Sequence, residues 1–348
     1  MWFYRIVNIY GKNINLKSLL SRLLLSAQWN IGWKFLGMNM GDIQLMQGRH
    51  PELFSIKEEK IMAKEAAKTG IAPTTLVAIE QYYPKKKRII EDDLAHLILP
   101  SGRAFLWLLR SNSIRAWMVR ATEKDFPGMW GGMMCRKRYI DEKLIDSLNQ
   151  IDAVVNLGTG FDTRAYRLPA LSDIPVWELD QPENINQKQI RLRKVFGTTP
   201  SHVKLVAIDF DREDLGTVLG SHGYSADKRT FFIWEAVTQY LTEKGLRITF
   251  DFLAKAARGS RLAFTYVRKD FLDGRVMYGW EKGYKRFVTS KIWIFGMDPE
   301  AWPNFLKEYG WQVIEDMGYD EMAEKYVKPT GRLLASTPIE RMVYAEKL

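Results

Sequence analysis

Five short apolar runs between residues 152 and 267 constrain this chain most. They are DAVVNL (152–157), IPVWEL (174–179), VKLVAI (203–208), TFFIWE (230–235) and RLAFTYV (261–267). Each has strand length and is rich in β-branched or aromatic residues. Strands apolar on both faces belong inside a sheet that is covered on both sides. The segments between them read as helices, most clearly ENINQKQIRLRKVF (183–196) and TEKGLRITFDFLAKAA (242–257), the latter stopped by Gly259. This alternation predicts a doubly wound α/β sheet, mostly parallel, in a domain spanning 151–348. GWQVIED (310–316) and PIERMVYAEK (338–347) read as two final strands, with an antiparallel strand at the C-terminal end.

Residues 42–150 read as a helical cap. Its helices are IKEEKIMAKEAAK (56–68), ended by Gly70 and Pro73, and SIRAWMVRATEKDF (113–126), ended by Pro127 and Gly128. The KKKR run at 85–88 follows Pro84 and reads as a solvated turn. Insertions into the sheet domain are expected at 268–300 and 317–337. The net charge is +10, and residues 1–41 hold five bases and no acid. The remaining chain then carries 46 bases against 41 acids, which reads as an ordinary solvated surface. No apolar run near the N-terminus approaches the ~20 residues that span a bilayer. Residues 1–41 therefore read as a basic amphipathic extension: an added core helix or an upstream start, with a presequence or membrane contact through 1–37 as alternatives. Aromatic residues are not interleaved with a basic stripe, which argues against nucleic acid. A single cysteine, Cys135, allows no intrachain disulfide and fits a cytoplasmic protein.

The first run stops at GTGFDTRAYRL (158–168). Gly158 and Gly160 let the backbone turn tightly and approach a ligand. A dinucleotide fingerprint would place a third glycine where Thr163 stands, and the lysine and hydroxyl of a P-loop are missing. Asp180 ends the next strand, 20 residues after Gly160, where a carboxylate can accept from ribose hydroxyls. Asp209 and Phe210 end the third, an acid and a ring suited to an exocyclic amine and a purine face. Glu235 ends the fourth. Any one of these acids is commonplace as a helix cap. The glycine turn and three acids, at the ends of four successive strands, point to one crevice.

The GTGFDTRAYRL stretch resembles the G-x-G-x-D-T-R-x-x-R-L signature of the leucine carboxyl methyltransferase-like class I S-adenosylmethionine-dependent methyltransferases. IWEAVTQYLT (233–242) is similar to that family's second signature. CRKRYIDEKL (135–144), WELDQP (177–182) and AIDF (207–210) match in order. The resemblance implies a Rossmann-like class I methyltransferase fold with S-adenosyl-L-methionine as cofactor. It implies that Gly158 and Gly160 lie against the methionine part, that Asp180 holds the ribose and Asp209 the adenine amine, and that Glu235 faces the amino group. Arg136 best matches the arginine that grips the cofactor carboxylate, with Arg138 nearby, and Tyr240 matches a tyrosine on the substrate side. Asp162 and Arg164 fit an ion pair that organises the turn.

A carboxylate acceptor is anionic at neutral pH and needs no general base, whereas an alcohol does. His96, His202 and His222 sit in helix, strand-start and loop contexts, and no metal-ligand spacing occurs. The expected acceptor is therefore a carboxylate of a small molecule or peptide C-terminus, with Arg138 and Tyr240 as candidate catalytic groups. Methylation of a hydroxyl, NAD-dependent oxidoreduction and non-catalytic cofactor binding are the alternatives. The aromatic segment MYGWEKGYKRFVTSKIWIFG (277–296) either lines an acceptor cavity or packs beneath an insertion, and PTGRLLAS (329–336) is a candidate lid.

Overall fold

The computed structural model describes residues 71–99, 107, 109–210 and 212–348. The chain divides into two compact units, residues 1–61 and 62–348, and the description concerns the second. The basic extension and the expected helix at 56–68 lie outside the described residues.

Seven strands form one sheet: β1 Ala153–Leu157, β2 Val176–Asp180, β3 Val203–Ala207, β4 Thr230–Trp234, β5 Arg261–Val267, β6 Trp311–Met317 and β7 Glu340–Lys347. Their order is β3-β2-β1-β4-β5-β7-β6. The first five pair in parallel, and β7 runs antiparallel to both β5 and β6. This is the Rossmann-like, doubly wound sheet with its C-terminal antiparallel strand. β1, β2 and β4 are buried along their whole length, and the edge strand β3 exposes Lys204 and Ala207. Strand direction reverses its progress between β1 and β4, so the switch-point crevice opens at their carboxyl ends.

The principal helices are α1 Ile71–Glu80, α2 Asn112–Asp125, α3 Met129–Ser147, α4 Pro182–Phe196, α5 Leu215–Ser221, α6 Glu243–Leu253 and α7 Trp302–Glu308. α4 starts on a proline at its first turn and ends at Gly197 in a left-handed conformation, the two residue types those positions favour. In α6, Thr242 caps the N-terminus by accepting from the Gly245 N–H at 3.1 Å. Leu246, Thr249, Phe250 and Leu253 then recur at helical spacing and are buried. Phe250 meets Trp234, Phe264, Trp302, Phe305 and Tyr309 in the main core. No helix among the described residues is long and apolar enough to cross a membrane.

The 277–296 aromatics pack as a satellite core. Trp280 is buried beside Val267, Phe271 and Ile339, with Tyr278, Tyr284, Phe287 and Trp293 against them. Phe287 and Trp293 stack on each other at 4.5 Å. The 329–336 segment leads into residues 335–337, whose backbone lies so close to Gly128 and Gly131 that a Cβ on either would overlap it. Arg332 meanwhile pairs with buried Glu80 of α1 and stacks over Tyr83.

Cys135 lies in this layer, fully buried, and burial pushes its thiol up to about 12. A thiol so placed is inert. Iodoacetamide is expected to leave Cys135 unmodified in the native protein and to alkylate it in denaturant; rapid labelling of the native chain, read by intact mass, would contradict the burial.

Candidate active site

The two switch-point strands carry the glycine turn and Glu235. β1 and β4 pair in register, Val155 with Phe232 and Asn156 with Ile233, which brings Gly158 beside Glu235. Gly158 has φ +74° and Gly160 φ +48°. The Gly158 and Thr159 N–H groups both donate to the Leu179 carbonyl, at 2.9 and 2.8 Å. A Cβ on Gly158 would overlap Val237 Cγ2 from the turn after β4. A bare backbone is therefore required here on two counts, conformation and space.

Asp180 clamps the turn from the end of β2. Its Oδ2 accepts from the Gly160 N–H at 2.6 Å, and its Oδ1 from the Gln181 N–H at 2.7 Å and Asn184 Nδ2 at 2.8 Å. A carboxylate offers about four lone-pair sites. Three are taken, so one acceptor site of Asp180 remains. Burial raises its carboxyl above the usual value against the pull of those donors. Behind it, Glu178 forms a buried pair with Lys188 at 2.8 Å and accepts from the Tyr166 hydroxyl at 2.6 Å. Lys188 also donates to Thr159 Oγ1 at 2.8 Å, tying α4 to the glycine turn.

At the end of β3, Asp209 is half-exposed and lies 3.6 Å from Arg212, and Phe210 packs on the main core. Tyr240 closes a short turn after β4, half-buried, its N–H on the Val237 carbonyl at 3.0 Å. Ala236, between Glu235 and that turn, sits at φ +56°, a left-handed conformation costly for a residue with a Cβ. The Thr265 hydroxyl holds it by accepting from the Ala236 N–H at 2.9 Å while donating to Glu340 at 2.8 Å.

Glu235 is the hub of a buried ionic network. It meets Arg136 at 2.9 Å, Lys137 at 3.2 Å and Arg164 at 2.8 Å. Burial would raise its carboxyl, but Lys137, Arg164 and Arg136 together hold it well below the usual range. Arg136 also grips Glu340 through both carboxylate oxygens, at 3.1 and 3.0 Å. Arg164 bonds Asp162 and Asp141, so the expected Asp162–Arg164 pair is present inside a larger cluster. Arg167 joins Asp141 at 2.5 Å and Asp92 at 3.5 Å. Five carboxylates face four cations, one negative charge in excess.

The structure does not bring Arg138 into this cluster. Its side chain points outward from α3, 46% exposed, and pairs with Glu142 one turn on. Lys137, between the two arginines that the sequence pattern favours, faces the crevice instead. Lys137, Asp92, Asp141, Arg167 and Glu340 are the members of the network that the sequence reading did not single out. The i,i+4 spacing of Lys137 and Asp141 on one face of α3 was the available signal. Thr163, where a dinucleotide fingerprint needs glycine, donates to Asp92 at 2.5 Å and is locked into the cap. His202 faces the Ala165 carbonyl at 3.0 Å, His222 the Val218 carbonyl at 2.8 Å, and His96 is exposed. Among the described residues, no group of His, Cys, Asp or Glu could hold a metal ion.

The leucine carboxyl methyltransferase family profile matches residues 70–254. A protein of Mycobacterium avium is 31% identical over 199 residues, covering 56% of this chain and just under two thirds, 65%, of that protein. One of Mycolicibacterium smegmatis is 29% identical over 258 residues, covering 71% of this chain and 83% of its own length. Both bear the name "Putative S-adenosyl-L-methionine-dependent methyltransferase". Among solved structures, magnesium protoporphyrin IX methyltransferase from Synechocystis with bound SAH superimposes with TM-score 0.42 at 14% identity, over 68% of this chain and 96% of that one. With the family profile spanning the glycine turn, the strand-end acids and the Glu235 hub, this chain belongs to the leucine carboxyl methyltransferase family of S-adenosylmethionine-dependent methyltransferases.

Proposed function

We propose that this chain methylates a carboxylate of a small molecule or peptide C-terminus. The observation that carries the reading is the set of buried cations at the crevice between β1 and β4, Arg136, Lys137 and Arg164, while His202 and His222 meet backbone carbonyls and His96 is exposed. A carboxylate acceptor uses cations for positioning and needs no base. Gly158 and Gly160 supply a cradle that a Cβ at Gly158 would fill, Asp180 a lone pair for a ribose hydroxyl, and Asp209 with Phe210 an edge for the purine. Glu235 completes the set on the side of the cofactor's ammonium. S-adenosylmethionine, when bound, supplies a methyl group on a sulfonium, whose leaving group is a neutral thioether. The cofactor is net cationic, and the network's excess negative charge complements it. Tyr240 borders the acceptor side in this reading, and Arg138, on the outer face of α3, has no part in it.

Transfer of tritiated methyl to an extract, followed by mild base, tests the acceptor class. A carboxylate acceptor gives label released by base as methanol; label that survives as an ether or amine overturns the reading.

The strand-end acids predict a pH signature. Asp180 is raised above its ordinary value by burial, so cofactor affinity should fall as pH drops through that raised value. Glu235 is held low and stays ionised over the same window. Its contribution to stability is present above the unfolded carboxylate value and is lost only as pH falls through its depressed folded one. Binding should therefore weaken on acidification before the fold melts; calorimetry and circular dichroism on one pH series compare the two, and simultaneous loss would contradict the assignment.

A further inference from the structure

We propose that Thr265 is a positioning residue for cofactor binding: its hydroxyl holds the turn after β4 in the shape that seats Val237 against the glycine turn. The inference rests on the cofactor reading above and concerns a fully buried residue of β5 that acts through the turn.

Thr265 grips the turn at two points. Its hydroxyl accepts from the Ala236 N–H at 2.9 Å, and its carbonyl accepts from the Thr238 hydroxyl at 2.8 Å. Between those two residues stands Val237, whose Cγ2 occupies the space that a Cβ on Gly158 would need. Glu235 precedes the gripped segment and Tyr240 closes it, with the Tyr240 N–H on the Val237 carbonyl. Ala236 resists this shape, because its φ of +56° is a left-handed conformation that a Cβ disfavours. Without the hydroxyl, the Ala236 N–H loses its partner and nothing opposes relaxation of the turn toward the right-handed region.

The hydroxyl is itself fixed from behind. It donates to Glu340 Oε1 at 2.8 Å, Arg136 grips both oxygens of Glu340, and Arg136 Nε donates to Glu235 at 2.9 Å. Ala236 follows Glu235 in the chain, so these contacts close a ring through Glu235, Arg136, Glu340, Thr265 and Ala236. Arg136, Glu340 and Thr265 are buried in it. Only a hydroxyl fills the place of Thr265, since it must accept from one neighbour and donate to the other at once. A turn ordered in advance spares the ligand the entropy of ordering it on binding.

A double cycle of Thr265→Val and Ala236→Gly, read by calorimetry of S-adenosylhomocysteine, tests the assignment. Valine keeps the branching of threonine and removes only the hydroxyl. Thr265→Val should bind about ten-fold more weakly than wild type, and Thr265→Ser, which restores the hydroxyl, should recover most of that loss. Glycine adopts left-handed φ about as readily as right-handed, so on the Ala236→Gly background the turn needs the hydroxyl less. There, Thr265→Val should lose no more than about three-fold. Each affinity is measured well below the variant's thermal midpoint, so a general loss of stability does not move it. Thr265→Cys, close in size and only weakly hydrogen-bonding, carries the same cycle should the valine variant fail to melt cooperatively. Wild-type affinity in Thr265→Val, or its full loss repeated on the Ala236→Gly background, overturns the inference and leaves the cofactor reading standing. Failure of wild type to bind overturns the cofactor reading and the inference with it.

Discussion

Arg164→Leu is expected to cost about 3–5 kcal/mol of folding stability, the penalty typical of removing one partner from a buried charge cluster. Arg164 is buried and holds Asp141, Asp162 and Glu235 at once. Without it, three carboxylates in the interior compete for Arg136, Lys137 and Arg167. Burial opposes the arginine's own charge, but Asp162, Glu235 and Asp141 hold its pKa well above the usual value. Arg164→Lys should fall between wild type and leucine, because a single ammonium cannot bond three acids in fixed directions. Urea unfolding at unchanged m-value reads the loss. A leucine variant as stable as wild type would mean that the cluster is not the keystone of this fold.

The second large effect is expected at Gly158. Gly158→Ala places a Cβ in a left-handed conformation and into Val237 Cγ2. The combined strain should cost about 1–3 kcal/mol and push the turn off its course. In the proposed reading that turn is the cofactor's floor, so affinity for S-adenosylhomocysteine should drop by about a hundred-fold, or some 2.7 kcal/mol. Gly197→Ala is the control. It has a similar φ of +79° with nothing within 4 Å of the added methyl, and it lies at the far end of α4. It should cost about 1 kcal/mol in stability and leave affinity unchanged. Adding Val237→Ala to Gly158→Ala relieves the overlap but not the φ, so affinity should recover only in part. Equal affinity in Gly158→Ala and wild type would remove the turn from the binding surface.

The strands were legible because burial on both faces leaves a direct imprint on sequence. All seven occur within two residues of the runs that mark them, and β7 is the antiparallel strand expected at the C-terminal end. Asp180 proves to be the last residue of β2 itself, which is why its carboxylate can reach back to the Gly160 N–H. Helix α6 stops at Leu253, four residues short of the expected end, because 254–257 turn back to place the Ala257 N–H on the Ala226 carbonyl. Long-range ion pairing was not legible. Nothing local to Glu340, in the last strand, announces that it bonds Arg136 at a separation of 204 residues. Likewise Arg136, Lys137 and Arg138 look alike in sequence, and only the orientation of α3 sends two inward and one out. The aromatics of 277–296 bind to one another in a satellite core, the plainer of the two readings open from sequence.

The most direct test of the account is calorimetry of S-adenosylmethionine and S-adenosylhomocysteine with the wild-type chain and with Asp180→Ala. Asp180 both clamps the Gly160 N–H and retains one acceptor site facing the crevice. Saturable binding to wild type, weakened about a hundred-fold or more in Asp180→Ala while the variant still melts cooperatively, is the predicted result. No heat from wild type, or identical binding by the variant, would contradict a cofactor site at the ends of β1, β2 and β4.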